Sequence, residues 1–307
     1  MPTPPKSTNL LFAGNQCWIG RLSSRRRLRE SGHRAMREIL KQLPPQAIVL
    51  DLGSGEGSVP AGLYPARLVS GDIQRPTAKP DRFVQLDSAR LPFKDAAFDA
   101  IILNHSLEHF PDVESSLLEM GRVIKKERAG IYIAVPDSAT LADRVYRRIG
   151  GAGHVNRFTS LSDLVQLIVR TTGLRHQGTR FLCSSFSILN GLNLGPRRLG
   201  RMVRFLGGNE RLLALSTLLL RSADHFLHTG ASFYGWALYF GDIAFDVDEG
   251  PWTNVCVRCG AGHSSAWLET TGRVRRRWLL KSYACPNCGA RNYFTSDEAY
   301  EFLRRGR

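Results

Sequence analysis

"AIVLDLGSGEGS", residues 47–58, decides how the rest of the chain is read. Its apolar start is short enough for a buried strand, and the strand runs straight into Gly53, Gly55 and Gly57. Glycines there allow a sharp turn and let backbone approach a ligand with no Cβ in the way. A dinucleotide loop would read G-x-G-x-x-G, but position 58 is serine, which weakens a nicotinamide reading. Asp51 precedes the loop. Asp72 ends the next short strand, "ARLVSGD", at the distance where an acid can accept both hydroxyls of a ribose.

Outward from this loop the order of elements repeats. "RFVQLD" is a third strand ending in Asp87, "FDAIILN" a fourth, "HFPDVESSLLEMGRVIKK" a helix, and "AGIYIAVPD" a fifth strand. Short buried strands alternating with helices indicate a parallel α/β sheet. A helix-rich stretch, 160–228, follows, then an aromatic strand, "ASFYGWALYFG". Upstream, "RLSSRRRLRESGHRAMREILKQLPP" reads as a basic amphipathic helix stopped by Pro44 and Pro45.

The 307 residues carry a net charge of +15, unevenly placed. Residues 1–45 hold nine Lys/Arg against two acids and residues 251–307 ten against four, so the middle is nearly neutral. Basic flanks suit polyanions, either nucleic acid or anionic lipid, or form a solvated surface. "LLALSTLLL", 212–220, is too short to span a bilayer, and the N-terminus lacks the pattern of a secretory signal. A cytoplasmic protein is expected.

Cys256 and Cys259 in "CVRCG" and Cys285 and Cys288 in "CPNCG" stand 25 residues apart as two C-x-x-C knuckles. Four thiolates brought together this way complete a tetrahedral metal site, with zinc favoured and iron the alternative. Cys17 and Cys183 have no such partners and are expected to pack.

D-x-G-x-G-x-G at 51–57, an acid at 72, "DSARLPFKDAAFD" at 87–99 and "LEH" at 107–109 occur in register. Together they make the chain resemble the class I S-adenosylmethionine-dependent methyltransferases. The nearest likeness is to the group that modifies ubiquinone, menaquinone, sterols and glycans. The resemblance covers residues 46 to about 182 and 231–241, and stops before the knuckles. It implies a doubly wound, mostly parallel, Rossmann-like seven-stranded α/β sheet with a helical cover; the two knuckles add a small C-terminal zinc ribbon outside the resemblance. The expected division is a basic helical segment (1–45), a methyltransferase domain (46–245, cover about 183–230), a ribbon (251–295) and a basic tail (296–307).

The resemblance also implies roles. Asp51, Gly53, Gly55 and Gly57 would surround the methionine portion of S-adenosylmethionine, and Asp72 would hold the ribose. Asp87 would face the adenine amino group with Ser88 beside the ring, and Asn104 and His105 would line the space beneath the sulfonium. His105 and His154 are the candidate proton acceptors. His109 is read as structural.

"HSLEH" also fits H-x-x-E-H, an inverted zinc-peptidase pattern, but its place at the end of a strand is that of a ligand mouth in a doubly wound sheet. Some quinone-forming relatives hold magnesium with acids near this string. His105 stands in place of one such acid, so magnesium is not expected.

Motifs of amino-group, cytosine-C5 and arginine methylases are absent around residue 104. The expected acceptor is a small molecule, a glycan or a lipid-linked compound, with RNA as the alternative partner. The stretch 194–221, with six arginines, one acid and many leucines, suits a cover helix that buries its leucines or rests on an anionic membrane. A third possibility is an inactive cofactor-binding adaptor, against which the intact Asp51, Asp72 and Asp87 argue.

Overall fold

A computed structural model describes residues 40, 42–55, 57–58, 66–77, 81–148, 154–190, 201–243, 252–278 and 280–300. The expected basic N-terminal helix lies almost wholly outside these residues, as does Cys17.

Among the described residues ten strands form two sheets. The larger has the order β3-β2-β1-β4-β5-β7-β6, from β1 (Ile48–Leu52), β2 (Arg67–Asp72), β3 (Phe83–Gln85), β4 (Ala100–Asn104), β5 (Gly130–Pro136), β6 (His176–Cys183) and β7 (Phe233–Gly241). β4 and β5 are buried at every position, the pattern of a parallel strand covered on both faces. β1 pairs in parallel with both β2 and β4, so the chain reverses its winding between β1 and β4. That reversal opens a crevice beyond the carboxyl ends of these two strands.

Helix α1 (Val113–Val123) starts where the Asp112 side chain accepts the Ser115 N–H at 3.0 Å. Helix α2 (Leu141–Arg148) follows β5. Helix α3 (Leu161–Thr172) is capped by Ser160 and ends at Gly173, left-handed at φ +72°. The buried stripes of α1 and α3 join Ile101, Leu103, Ile131 and Ile133 in the main core.

The stretch 160–228 is helix-rich as expected, but it also holds β6, which the sequence reading did not mark. "HQGTRFLC" shows no clean alternation of burial, and a register shift between His176 and Gly178 breaks its period. Its pairing with β7 makes the strand. β7 runs antiparallel to both β5 and β6, so β6 points the same way as β1 to β5. The connection from β6 to β7 therefore leaves and returns at the crevice edge of the sheet.

That connection contains α4 (Arg201–Gly208) and α5 (Glu210–Leu227). Leu213 and Ala214 are buried, but against Val257 and Tyr293 of the C-terminal unit rather than against the large sheet. Leu215, Leu219 and Phe226 remain 43%, 62% and 75% exposed. Arg197 and Arg198 lie outside the described residues.

The smaller sheet, β8 (Val274–Arg277), β9 (Leu280–Ala284) and β10 (Arg291–Tyr293), is antiparallel and follows helix α6 (Ser265–Thr270). The stretch expected as a tail is packed as far as Tyr300. That side chain is fully buried and its hydroxyl lies 3.0 Å from Ser232 Oγ. No helix among the described residues is long and apolar enough to cross a membrane.

Candidate active site

The glycine loop closes the carboxyl end of β1. Gly53 N and Ser54 N both donate to Gly71 O, at 2.8 and 3.1 Å, and Gly57 N donates to Ser54 O at 2.8 Å. Gly53 has φ +71°, and a Cβ there would fall 2.4 Å from Ser106 Cβ, so the loop sits directly on the end of β4. Gly55, at φ +52°, and Gly57 differ: among the described residues no atom lies within 4 Å of where their Cβ would be. Their backbone faces open space, the condition for close approach of a ligand.

Asp72 gathers the loop from the end of β2. Its Oδ2 accepts Gly55 N at 2.8 Å and its Oδ1 accepts Gln74 N at 2.9 Å. Asp51 is fully buried and accepts Ser58 N at 3.2 Å. The buried hydroxyls of Ser54 and Ser58 have no hydrogen-bond partner among the described residues. Two such orphans beside one glycine loop fit polar groups of a bound molecule.

Asp87 follows β3, is exposed, and accepts Ala89 N at 2.9 Å. Ser88 is buried, with its hydroxyl accepting from Ser116 Oγ at 2.9 Å. Asn104 ends β4 and is 7% exposed.

His105 follows in a left-handed conformation, φ +56°, with its N–H donating to Ala134 O at 2.9 Å. Its ring stacks on Tyr234 with centroids 5.8 Å apart, and Nε2 lies 3.5 Å from the Tyr234 hydroxyl. Leu107–His109 is a single 3-10 turn. The two histidines of H-x-x-E-H thus do not share a helix face, which removes the peptidase geometry.

Glu108 is buried, with Oε1 3.7 Å from His105 Nδ1 and 4.0 Å from His109 Nε2. The Glu108 carbonyl accepts Val155 N at 2.9 Å and Asn156 N at 3.0 Å, which brings His154 beside it. The His154 ring stands 4.9 Å from that of His109, with Nδ1 3.2 Å from Asp143 Oδ1. Burial opposes ionisation of Asp143, but hydrogen bonds from His154 and Arg147 outweigh it and hold the carboxyl below its usual range. Sequence reading missed Asp143 and Tyr234. Asp143 looks like an ordinary surface acid in "LADRVYRR", and Tyr234 is 129 residues from His105.

In the C-terminal unit, Cys256 Sγ lies 3.6 Å from Cys288 Sγ and Cys259 Sγ 3.7 Å from Cys285 Sγ. Disulfides would need ~2.05 Å. A tetrahedron with zinc–sulfur bonds of ~2.3 Å has edges of ~3.75 Å, which these separations match. Gly260 and Gly289 take φ +70° and +75° just after each pair, and their N–H groups donate to the carbonyls of Cys256 and Cys285. Cys183 packs as expected: burial raises its thiol to about 12, far from nucleophilic.

The unit is fastened to the cover. Ser185 Oγ donates to Cys256 O at 3.0 Å and Asn190 Nδ2 to Val257 O at 3.2 Å. Arg258 forms a two-pronged ion pair with Glu210 at the start of α5.

The profile of the family described as a methyltransferase domain matches residues 50–131. A demethylmenaquinone methyltransferase of Deinococcus radiodurans is 30% identical over 179 residues, covering 52% of this chain and 69% of the relative. An uncharacterized methyltransferase of Bacillus subtilis, YcgJ, is 29% identical over 135 residues, 38% of this chain and 52% of the relative. Among solved structures, the 1,6-didemethyltoxoflavin-N1-methyltransferase of Burkholderia thailandensis superposes with a TM-score of 0.40 at 16% identity, over 68% of this chain and 76% of that one. That structure contains 1,6-didemethyltoxoflavin and S-adenosylhomocysteine. The chain belongs to the class I S-adenosylmethionine-dependent methyltransferases.

Proposed function

We propose that this enzyme methylates a small apolar or glycan-type acceptor, lipid-linked and reached at a membrane surface. The observation that carries this reading is the exposed apolar stripe Leu215, Leu219 and Phe226 on α5. These positions fall within one face of the helix, in the connection that leaves and returns at the crevice edge. The Deinococcus relative is named for demethylmenaquinone, which supports a small-molecule acceptor.

In this reading Asp51, Gly53, Gly55 and Gly57 surround the methionine portion of S-adenosylmethionine, with the Ser54 and Ser58 hydroxyls offered to its polar groups. Asp72 holds the ribose, Asp87 and Ser88 the adenine, and Asn104 lines the space under the sulfonium. When bound, the cofactor supplies an electrophilic methyl group. The chain's own task is to align an acceptor atom with it and to remove a proton where the acceptor is a hydroxyl. His105, stacked on Tyr234 at the crevice, takes that proton, with His154 as the second candidate. Zinc is assigned to Cys256, Cys259, Cys285 and Cys288.

Asp72→Ala should weaken S-adenosylmethionine binding by roughly 10- to 150-fold, because a charged acceptor worth about 1.5–3 kcal/mol is lost. The Gly55 N–H also loses its partner. Unchanged affinity by calorimetry would remove Asp72 from the site.

The acceptor reading is tested with anionic vesicles. Replacing Leu215, Leu219 and Phe226 by Gln should lower vesicle binding at least ~10-fold, since each loses about 1 kcal/mol or more of apolar transfer. A second reading, RNA methylation, is favoured by the β8–β9 hairpin, which exposes Arg275, Arg276, Arg277 and, at 89%, Trp278. RNA binding that falls steeply with salt and disappears when these arginines become Gln, with no vesicle binding, would establish the second reading over the first.

A further inference from the structure

The hairpin that joins β8 to β9 carries residues that its own folding does not call for. Arg277 pairs with Leu280, so two residues connect the strands, Trp278 and Leu279. Two-residue turns of this kind favour Asn or Gly, which tolerate a left-handed backbone. Trp278 instead takes φ +55° and is 89% exposed, so little packing offsets a conformation unusual for a bulky side chain. Leu280 is 47% exposed beside it.

Behind this apolar tip the strands are cationic on both faces. Side chains alternate along a strand, which puts Arg275 and Arg277 on one face and Arg276 on the other, across from Lys281. Residues 272–294 hold six Lys/Arg and no acid. Lys281 reaches Glu269 at 3.1 Å and Arg276 Nε donates to Trp278 O at 3.4 Å, but among the described residues no carboxylate pairs with Arg275, Arg276 or Arg277. β8 is the sheet edge away from β10, whose Tyr293 packs with Leu213 of α5 and Val257. Charges on an edge strand keep other strands from pairing with it. That accounts for the arginines and leaves the tryptophan unexplained.

An apolar tip bracketed by cations matches the layers of an anionic bilayer surface. Tryptophan settles at the boundary between headgroups and acyl chains. At ~3.4 Å per residue the three arginines lie within roughly 10 Å of the tip, level with the phosphates of a surface the tip enters. Arginine's planar fork holds a phosphate through two donors. RNA is bound otherwise, by aromatics spread along a groove or sheet face that stack with successive bases. This hairpin has one aromatic, at its end, and leucines after it.

We propose that the β8–β9 hairpin docks the chain on an anionic phospholipid membrane, with Trp278 and Leu280 entering the interface and Arg275, Arg276 and Arg277 holding lipid phosphates. The contact uses none of the residues of the α5 stripe. Its use to the enzyme, presentation to an acceptor at the same surface, rests on the lipid-linked reading above; the docking itself does not.

The test is co-sedimentation of the full chain, ribbon metal in place, with vesicles of phosphatidylcholine alone or mixed with phosphatidylserine. Wild type should bind the mixed vesicles and come off as salt rises. Arg275→Gln, Arg276→Gln and Arg277→Gln together should weaken binding roughly 100-fold, about fivefold for each charge. Trp278→Ala should weaken it at least ~10-fold, with S-adenosylmethionine affinity and metal content unchanged because this side chain is exposed. Brominated acyl chains should quench tryptophan fluorescence on binding, and Trp278→Phe should remove most of that quenching while the protein stays on the vesicle. Wild type that ignores the mixed vesicles overturns the proposal, as does binding unchanged in both the arginine and the Trp278→Ala variants. So does a hairpin needed for binding single-stranded RNA and not for binding vesicles. The protein carrying Leu215→Gln, Leu219→Gln and Phe226→Gln separates the two readings. Wild-type vesicle binding by it, with loss in the hairpin variants, would leave this docking standing and remove the α5 argument for the acceptor.

Discussion

Cys285→Ser is expected to cost the chain its ribbon metal and to unfold more than the ribbon. The apolar cores of the C-terminal unit are small, Leu268, Tyr283 and Phe294 on one side and Ala261 and Ala290 among the cysteines on the other. Burial on that scale is marginal for a unit of about 45 residues, and in the zinc reading thiolate ligation worth on the order of 10 kcal/mol makes up the difference. Serine cannot replace the thiolate.

The loss should spread along identifiable bonds. Cys256 O and Val257 O hold Ser185 and Asn190, Arg258 holds Glu210, and Val255 O receives Arg221 from within α5. Hydrogen exchange should therefore accelerate in residues 184–190 and 210–221 as well as in 252–295. Amides of β1, β4 and β5, whose core is made mostly by the large sheet and its helices with only Trp252, Val255 and Tyr300 added from the C-terminal unit, should keep their protection. A C-terminus that stays protease-resistant without metal would defeat both the zinc assignment and the coupling.

The second large effect is at the loop. Gly55→Arg should abolish detectable S-adenosylmethionine binding, a loss of at least ~100-fold or about 2.7 kcal/mol. Position 55 requires φ +52°, which costs an L-residue roughly 1–2 kcal/mol. The fold should tolerate that, because a Cβ there meets no atom of the described residues within 4 Å. In the proposed reading, the same open space is where the cofactor meets the loop backbone. Gly53→Ala provides the contrast. Its methyl would collide with Ser106, so it should lower the melting temperature before it affects binding. A folded Gly55→Arg protein with normal affinity would remove the cofactor from this loop.

Much of this molecule is written in local pattern. The buried runs of β1, β4 and β5, the glycines that follow β1, and acids at the end of β2 and just after β3 are each short-range signals. A parallel sheet with both faces covered demands such runs, and the close approach of a ligand demands such a turn. The two C-x-x-C knuckles are equally local, because four sulfurs at these spacings have few other uses.

What the tertiary structure alone decided depends on distant partners. β6 is a strand because β7 pairs with it, although its own sequence neither alternates nor stays apolar. The leucines of α5 are divided between the C-terminal unit and solvent by the docking of Val257 and Tyr293, which no helical period encodes. His105 meets Tyr234 only because β7 inserts beside β5. His154 meets Glu108 only because two backbone N–H groups bind one carbonyl across the crevice. H-x-x-E-H was visible from the start. Which of its side chains face one another was settled by a strand end and a 3-10 turn, where no fixed helical spacing applies.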